Sequence, residues 1–271
     1  MRRNFCCLSI MLVLCGSISF GQEYYPKGDP KKLQVEITVP MWLPWVNGQV
    51  GVNGILKDVE AGISAAPADL ISNLKAAIMA NADISMSGFV GFVNYMKIVL
   101  EAESAPAQLP MGGSANWGAE IKNAVLDMAA GRRIRIKKGM LEPFLGVRYF
   151  NLNTAVELNV NSSAKTGTEK IDYWDPFLGT RLFYYPKQRL MLFFRTDVGG
   201  IWGGAAEFSW NVEGKVGYTV SPTLDIAGGF RTWRFEYAEF KNNERTFYLN
   251  PHFYGFEVSV LFMIPKRGNM D

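Results

Sequence analysis

The chemically reactive side chains of this 271-residue sequence are mostly charged residues that recur at alternate positions. Arg195 and Asp197 are two residues apart, and so are Glu213 and Lys215. Two glutamates on one strand face, such as Glu207 and Glu213, would suit glycoside hydrolysis, which uses a pair of carboxyl groups. Basic residues surround these acids, so we expect them to be neutralised in ion pairs and not to act as an acid and a nucleophile.

A single histidine restricts the remaining chemistry. His252 has Asn250 and Pro251 before it and Phe253 and Tyr254 after it, and its strand phase places it with apolar residues. One histidine excludes any site built from two, and no serine or acidic partner stands beside it. We therefore expect no enzymatic activity, no metal site and no cofactor.

The first 21 residues predict a secretory signal peptide. Arg2 and Arg3 give a positive start, residues 5–14 form a short apolar run, and Ser19-Phe20-Gly21 offers a cleavage site. Residues 22–271 are then the mature chain, which we expect to form a single domain without internal repeats.

All three cysteines, Cys6, Cys7 and Cys15, lie in this leader. A lipoprotein signal ending at Cys15 is the weaker interpretation, because Leu14 occupies a position where such signals carry a small residue. With the leader removed, disulfides, thiolate catalysis and cysteine-ligated zinc are excluded from the mature chain.

Strict alternation of apolar and polar residues is the main structural signal. In Leu33–Trp45 the odd positions are all apolar, whereas the even positions include Gln34, Glu36 and Thr38. A strand sends successive side chains to opposite faces, so this pattern predicts strands with one apolar face. The pattern recurs in eight more segments: Leu74–Ile84, Trp117–Val125, Leu141–Tyr149, Trp174–Tyr184, Leu190–Val198, Glu207–Tyr218, Leu224–Arg231 and Phe256–Phe262. A further strand, Val90–Glu101, is ambiguous in phase, although Lys97 and Glu101 share a face.

Short and long connections alternate between these strands. Tight turns are predicted at Ser85–Gly88, Ala130–Gly131, Pro186–Gln188 and Ser221–Pro222. The longer connections are Val46–Asn73, Ala102–Asn116, Leu152–Ile171, Gly199–Ala206 and Ala238–Thr246. The sequence thus predicts an all-β, transmembrane, antiparallel up-and-down barrel of about ten strands, with short periplasmic turns and longer extracellular loops. An additional hairpin of residues 50–52 with 55–63, or a helical turn at 69–74, would change the number to eight or twelve.

Aromatic residues near the strand ends favour a membrane barrel over a soluble one, because such rings collect at bilayer interfaces. They are Trp42, Trp45, Trp117, Tyr173, Trp174, Tyr184, Tyr185, Trp202, Trp210, Tyr218, Trp233 and Tyr237. The alternative is a secreted, soluble, lipocalin-like barrel that has its apolar face inside and binds a small apolar ligand.

If the apolar face meets lipid, the charged face lines the interior. The candidate lumen residues are Glu142, Arg148, Asp175, Arg181, Arg195, Asp197, Glu207, Glu213, Lys215, Asp225, Arg231 and Glu257. The same strand phases also assign Glu36, Lys75, Asp83, Lys97, Glu101, Glu120 and Lys122 to the lumen. A barrel of about ten strands is too narrow for an open channel, so we expect these charges to pair and to fill the interior.

Three stretches resemble a widespread family of bacterial outer-membrane β-barrel proteins of unassigned activity. They are DPFLGTRL from Asp175, RTDVGG from Arg195 and SWNVEGKVGY from Ser209, and the stretches from Trp42 and Asp69 are similar to the opening of the same family. The resemblance implies the barrel fold and says little about activity. The chain departs from the common pattern of a terminal aromatic residue, because the last predicted strand ends near Phe262 and a tail follows it.

Together these features predict an integral protein of the bacterial cell outer membrane. We expect a structural role, or that of a narrow pore for small solutes, with a charged and largely filled lumen. The expected partners are outer-membrane lipids, the outer-membrane insertion machinery and, if the lumen conducts, a small polar solute. A formal net charge of +3 is too small to indicate nucleic-acid binding.

Overall fold

The computed structural model describes residues 32–52, 59–103, 107–108, 114–160, 163–200, 206–241 and 244–264. The predicted signal peptide and Trp202 lie outside these residues. Within the described ranges, no helix has the length and apolar character needed to cross a membrane.

Ten antiparallel strands form a closed barrel, which confirms the predicted fold and strand number. They are β1 (Gln34–Val52), β3 (Leu74–Met86), β4 (Phe89–Glu103), β6 (Ser114–Arg132), β8 (Gly139–Val160), β9 (Ser163–Lys187), β10 (Leu190–Gly199), β11 (Ala206–Ser221), β12 (Leu224–Lys241) and β14 (His252–Ile264). Each strand pairs with the next in this order. The last pairs with the first in a register that runs from Val35 opposite Ile264 to Asn47 opposite His252.

Four shorter strands and one helix extend the wall: β2 (Val59–Ala65), β5 (Ala107–Gln108), β7 (Ile134–Ile136), β13 (Glu244–Leu249) and α1 (Pro67–Ser72). β2 pairs with the C-terminal part of β1, which confirms the additional hairpin predicted there, but the barrel still has ten strands. α1 begins at a proline, and the Asp69 carboxylate accepts a hydrogen bond of 2.9 Å from the backbone N–H of Ala66. This contact satisfies one of the free donors at the start of the helix.

Tight turns join the strands at one end of the barrel, which we call the turn end. The first of them holds Ser87 and Gly88 at φ values of 53° and 83°, as in a two-residue hairpin turn with both central residues in the left-handed region. The turns predicted near residues 188 and 222 are also present. Both the start of β1 and the end of β14 lie at this end.

The turn predicted at Ala130–Gly131 is wrong. Both residues lie inside β6, and the chain reverses six residues later at Lys137–Lys138. A Cβ atom on Gly131 would collide with the carbonyl oxygen of Pro143. The glycine therefore allows close approach of two strands and does not mark a turn.

The long connection predicted at Leu152–Ile171 is wrong for most of its length. β8 and β9 continue as a paired ribbon up to Val160 opposite Ser163. β12 and β13 likewise occupy most of the predicted connection Ala238–Thr246. These strand extensions project beyond the neighbouring strands at the end of the barrel opposite the turn end, which we call the loop end. A strand there needs no apolar face.

The two faces of the wall differ as a membrane barrel requires. Leu192 and Val258 on the outside are 40% and 51% exposed, whereas Arg195 and Glu213 inside are 5% and 6% exposed. Apolar side chains therefore predominate on the exterior, and most of the buried charged side chains point into the interior. A soluble lipocalin-like barrel has the opposite arrangement.

The predicted aromatic set divides between the two faces. Outward rings are those of Trp45, Trp174, Tyr184, Trp210 and Tyr218. Inward rings are those of Trp42, Tyr173, Tyr185, Trp233 and Tyr237, which are buried or packed against buried residues. For this second group the interface prediction is wrong, because near a barrel end a ring can fill the lumen as well as it can meet the bilayer. The side chain of Trp117 lies outside the described residues.

Candidate functional site

The buried charges of the lumen lie on eight strands. Among the candidate residues, ten have buried side chains: Glu142, Arg148, Asp175, Arg181, Arg195, Asp197, Glu213, Lys215, Asp225 and Glu257. Arg231 is half-buried, and the side chain of Glu207 lies outside the described residues. Because side chains alternate along each strand, every second residue of these strands contributes to the same interior.

Four residues from three strands form a closed circuit of ion pairs, which we call the central ring (Asp127, Arg148, Arg195 and Asp197). The Nε atom of Arg148 lies 2.7 Å from Asp127, and its Nη2 atom lies 2.9 Å from Asp197. Arg195 contacts the same two carboxylates at 3.1 and 2.8 Å. Each charge therefore touches two opposite charges, and the circuit is neutral as a whole.

Neighbouring amides and rings complete the surroundings of the central ring. Asn211 donates to Asp197 at 3.0 Å and accepts from Arg231 at 2.9 Å. The guanidinium of Arg148 lies over Phe177, with 4.7 Å to the ring centroid. A buried charge that has both opposite charges and hydrogen-bond partners escapes most of the cost of burial, whereas a lone one does not.

A second cluster lies nearer the turn end. Arg181 donates to Glu142 through Nε at 3.0 Å and through Nη2 at 2.7 Å, and its third nitrogen reaches Asp83. Arg133 binds the other oxygen of Glu142 at 2.5 Å and donates to Ser85 at 2.8 Å. Glu142 on β8 is thus held between two arginines from its two sides in the wall, Arg181 on β9 and Arg133 between β6 and β7.

A third cluster surrounds Lys215. Its ammonium contacts Glu213, lies 2.5 Å from Glu257 and lies 3.1 Å from Ser259. Glu213 also faces Arg195 and Arg231 across its two neighbouring strands. This cross-strand pairing of opposite charges links the third cluster to the central ring.

Asp175 has a different kind of partner. It accepts hydrogen bonds of 2.6 Å from the Ser209 hydroxyl and 2.6 Å from the backbone N–H of Gly200. Gly199 packs so closely against this carboxylate that a Cβ atom there would collide with it. Asp175 therefore fastens the end of β10 and the start of β11 to β9.

An aromatic layer (Trp42, Phe150, Tyr173, Trp233, Phe235 and Phe253) crosses the lumen toward the loop end. Phe150 stacks on Trp233 with centroids 5.5 Å apart, and on Tyr173 with centroids 4.6 Å apart. Trp233 stacks in turn on Phe253 at 5.3 Å. The layer joins rings from five strands and packs the space above the ion pairs.

Two small cavities remain between the charged side chains. One has a volume of about 30 Å³ and the other of about 50 Å³, and Asn81 and Asn94 line both. Because a water molecule needs about 10–15 Å³ of such space, each cavity has room for only a few waters.

Five charges assigned to the lumen lie on the outside instead, and we call them the outer charged row (Lys75, Lys97, Glu101, Glu120 and Lys122). Lys75 pairs with Glu101 at 2.5 Å and Lys122 with Glu120 at 2.7 Å, with side chains that are 31–55% exposed. The predicted phase of β6 was wrong, because Val125 and Asp127 are buried while Met128 is 37% exposed. Asp127, a member of the central ring, was missed for the same reason.

His252 lies on the outward face, where Thr232 lies 2.8 Å from its Nε2 atom and Trp210 and Tyr254 pack around the ring. Thr232 and His252 bring a hydroxyl and a base together, but none of these neighbours is an acidic group that could orient the imidazole, or a second histidine, cysteine or acidic metal ligand. Among the described residues, no group of three or more histidine, cysteine or acidic side chains could hold a metal ion.

Comparison with known proteins identifies solved structures only. No protein-family model and no curated protein matches the chain. The translocator domain of the autotransporter NalP from Neisseria meningitidis is similar over 87% of this chain and 90% of that one, at 9% identity and a TM-score of 0.38. The toluene transporter TodX of P. putida is similar over 90% and 92%, at 10% identity and 0.32. Neisserial surface protein A is similar over 85% and 96%, at 10% identity and 0.24. Likenesses at this level carry no information about what this chain binds.

Proposed function

We propose that this chain is an integral β-barrel of the bacterial outer membrane with a filled lumen and a structural role. The membrane assignment is supported by the exposed apolar exterior and by the burial of charges inside, since only a lipid-facing wall leaves Leu192 and Val258 with a favourable solvent. A closed barrel also pairs the backbone groups of every spanning strand, as hydrocarbon demands.

The observation that carries the structural role is the central ring. Its four side chains come from β6, β8 and β10 and meet inside the barrel at 2.7–3.1 Å. Above it the aromatic layer packs a second barrier across the same interior. A solute would have to break buried ion pairs and separate stacked rings, which makes the resting barrel closed.

Passage of a small polar solute is the second candidate function. It is favoured by the two polar cavities, which share Asn81 and Asn94 and so lie next to each other between the ionic clusters. Such passage would require the charged side chains to exchange partners while the wall stays intact.

Membrane integration is tested by extraction. The protein should remain with the membrane pellet until detergent is added, and the folded barrel should migrate differently on a gel before and after boiling. Release into buffer by osmotic shock would overturn the membrane assignment.

Conductance separates the two roles. We expect the folded protein to be silent in a planar bilayer, and so should be the double variant Asp127→Ala/Arg148→Ala, whose aromatic layer is intact. The double change removes one positive and one negative charge and leaves Arg195 paired with Asp197 at 2.8 Å. Adding Trp233→Ala, which also removes the ring stacked on Phe150 and Phe253, should give a variant that conducts. Steady conductance by the unaltered protein would contradict the filled lumen and support solute passage.

A further inference from the structure

The outer surface of the barrel is not uniform. An open apolar groove of about 820 Å³ runs across β3, β4, β6, β8 and β9. Small residues form much of it, among them Ala82, Gly91 and Ala130, while Leu145 and Val147 form one side. The lining is almost entirely apolar, so water is a poor occupant of the groove.

The outer charged row lies on β3, β4 and β6, three of the five strands that form the groove, and nearer the loop end. Three lysines and two glutamates give it a net charge of +1. Lys75 and Lys122 are paired with glutamates, whereas Lys97 forms no ion pair with any residue in the described ranges. Lys97 is exposed on the outward face of β4, which lies between the strands that carry Lys75 and Lys122.

The spacing between groove and row matches one leaflet of a bilayer. Val93 in the groove and Lys97 are four residues apart along β4, a distance of about 13 Å at the rise of a strand. Met128 and Lys122 are six residues apart along β6, or about 20 Å. Because strands of membrane barrels are tilted by about 35–45°, these distances are depths of about 10 and 15 Å. Half of a hydrocarbon core is about 15 Å thick, so the groove faces acyl chains when the lysines are at head-group depth.

We propose that the groove and the outer charged row form a binding site for one lipid that carries phosphate in its head group. The acyl chains fill the groove on β3–β9, and the phosphate binds Lys97, with Lys75 and Lys122 on either side. Glu101 and Glu120 lie beside the site and remain paired with their lysines. The proposal rests on the membrane assignment and adds a specific lipid partner to it.

Two pairs of variants test the two halves of the site. Gly91→Leu fills the groove without straining the wall, because the nearest atom to an added Cβ is 3.8 Å away. Gly228→Leu is the matched control, since Gly228 faces outward on β12 and an added Cβ meets nothing within 4 Å. Lys97→Gln removes the unpaired charge, and Arg234→Gln removes an outward charge that is already paired with Glu236 at 2.8 Å.

The measurement is native mass spectrometry of the full chain, extracted from membranes in mild detergent and titrated with phosphatidylglycerol in mixed detergent micelles. We expect one lipid per barrel. Gly91→Leu should lower its retention at least tenfold, and Lys97→Gln should lower it about fivefold, the effect of one cation near an anionic membrane. The two control variants should retain the lipid.

Three results would overturn the site: no bound lipid, equal retention by Gly91→Leu and Gly228→Leu, or a second copy of the chain in place of the lipid. Heat-dependent gel mobility of the same samples keeps the two proposals apart. A membrane-extracted barrel that binds no lipid contradicts the lipid site alone, whereas a chain found in buffer contradicts the membrane assignment itself.

Discussion

The lumen is packed at two levels by different chemistry. Toward the turn end, arginines, a lysine and carboxylates are held in contact at about 2.5–3.1 Å. Toward the loop end, rings stack with centroids 4.6–5.5 Å apart. The ionic level tolerates burial only while every charge has its partner, whereas the aromatic level loses stability in proportion to the contact removed. The same interior can therefore lose stability in two ways, through an unpaired buried charge or through lost contact between rings.

Asp197→Ala tests the ionic level and should have the largest effect. It leaves Arg148 and Arg195, which are 1% and 5% exposed, with Asp127 as their remaining shared carboxylate. We expect the free energy of unfolding to fall by about 4 kcal/mol, the cost of breaking a buried pair from one side. Unfolding in urea from detergent micelles, followed by gel mobility, measures the loss. A fall below about 1 kcal/mol would show that water reaches the arginines and that the lumen is not closed there.

Phe150→Ala tests the aromatic level. The side chain contacts Tyr173, Trp233 and Phe235, so truncation leaves a cavity that these rings fill only in part. We expect a loss of about 3 kcal/mol, together with a weaker near-ultraviolet circular dichroism signal from the rings. An unchanged signal would mean that the stacked layer does not depend on its central member.

Asp172→Asn sharpens the comparison from outside the lumen and should have the smallest effect. Asp172 pairs with Lys170 at 3.0 Å, but the two side chains are 47% and 62% exposed. We expect a loss of at most about 1 kcal/mol, which 0.5 M salt should abolish. A salt-insensitive loss as large as that of Asp197→Ala would mean that location inside or outside the wall does not decide the strength of an ion pair.

The sequence was sufficient to predict the wall because alternation over Leu33–Trp45 and Glu207–Tyr218 is unbroken. Three of the four tight turns could also be located from turn residues. The fourth prediction failed because Gly131 allows two strands to pack closely, and close strand packing selects glycine just as a turn does. The β8–β9 ribbon was missed because its strands continue where no apolar face is needed.

The partners within the lumen were not predictable to the same degree. Some pairs lie directly opposite each other in register, such as Asp127 with Arg148 and Glu142 with Arg181. A correct strand phase would reveal these pairs. The contact of Arg148 with Asp197 depends on the tilt and closure of the whole barrel, because β9 separates their strands. No local pattern carries that information.

The ribbon formed by β8 and β9 divides one strand between two environments. β10 pairs with β9 only from Phe177 onward, opposite Gly199, whereas β8 continues to pair with β9 up to Ser163. From Phe177 toward the turn end, both edges of β9 are hydrogen-bonded within the wall. From Phe177 toward the loop end, the peptide groups on the edge toward β10 have no described strand to bind. Every second amide there is therefore left to exchange its proton with water. The amides of β9 should therefore alternate between slow and fast exchange on the loop-end side of Phe177. On the turn-end side they should all be protected.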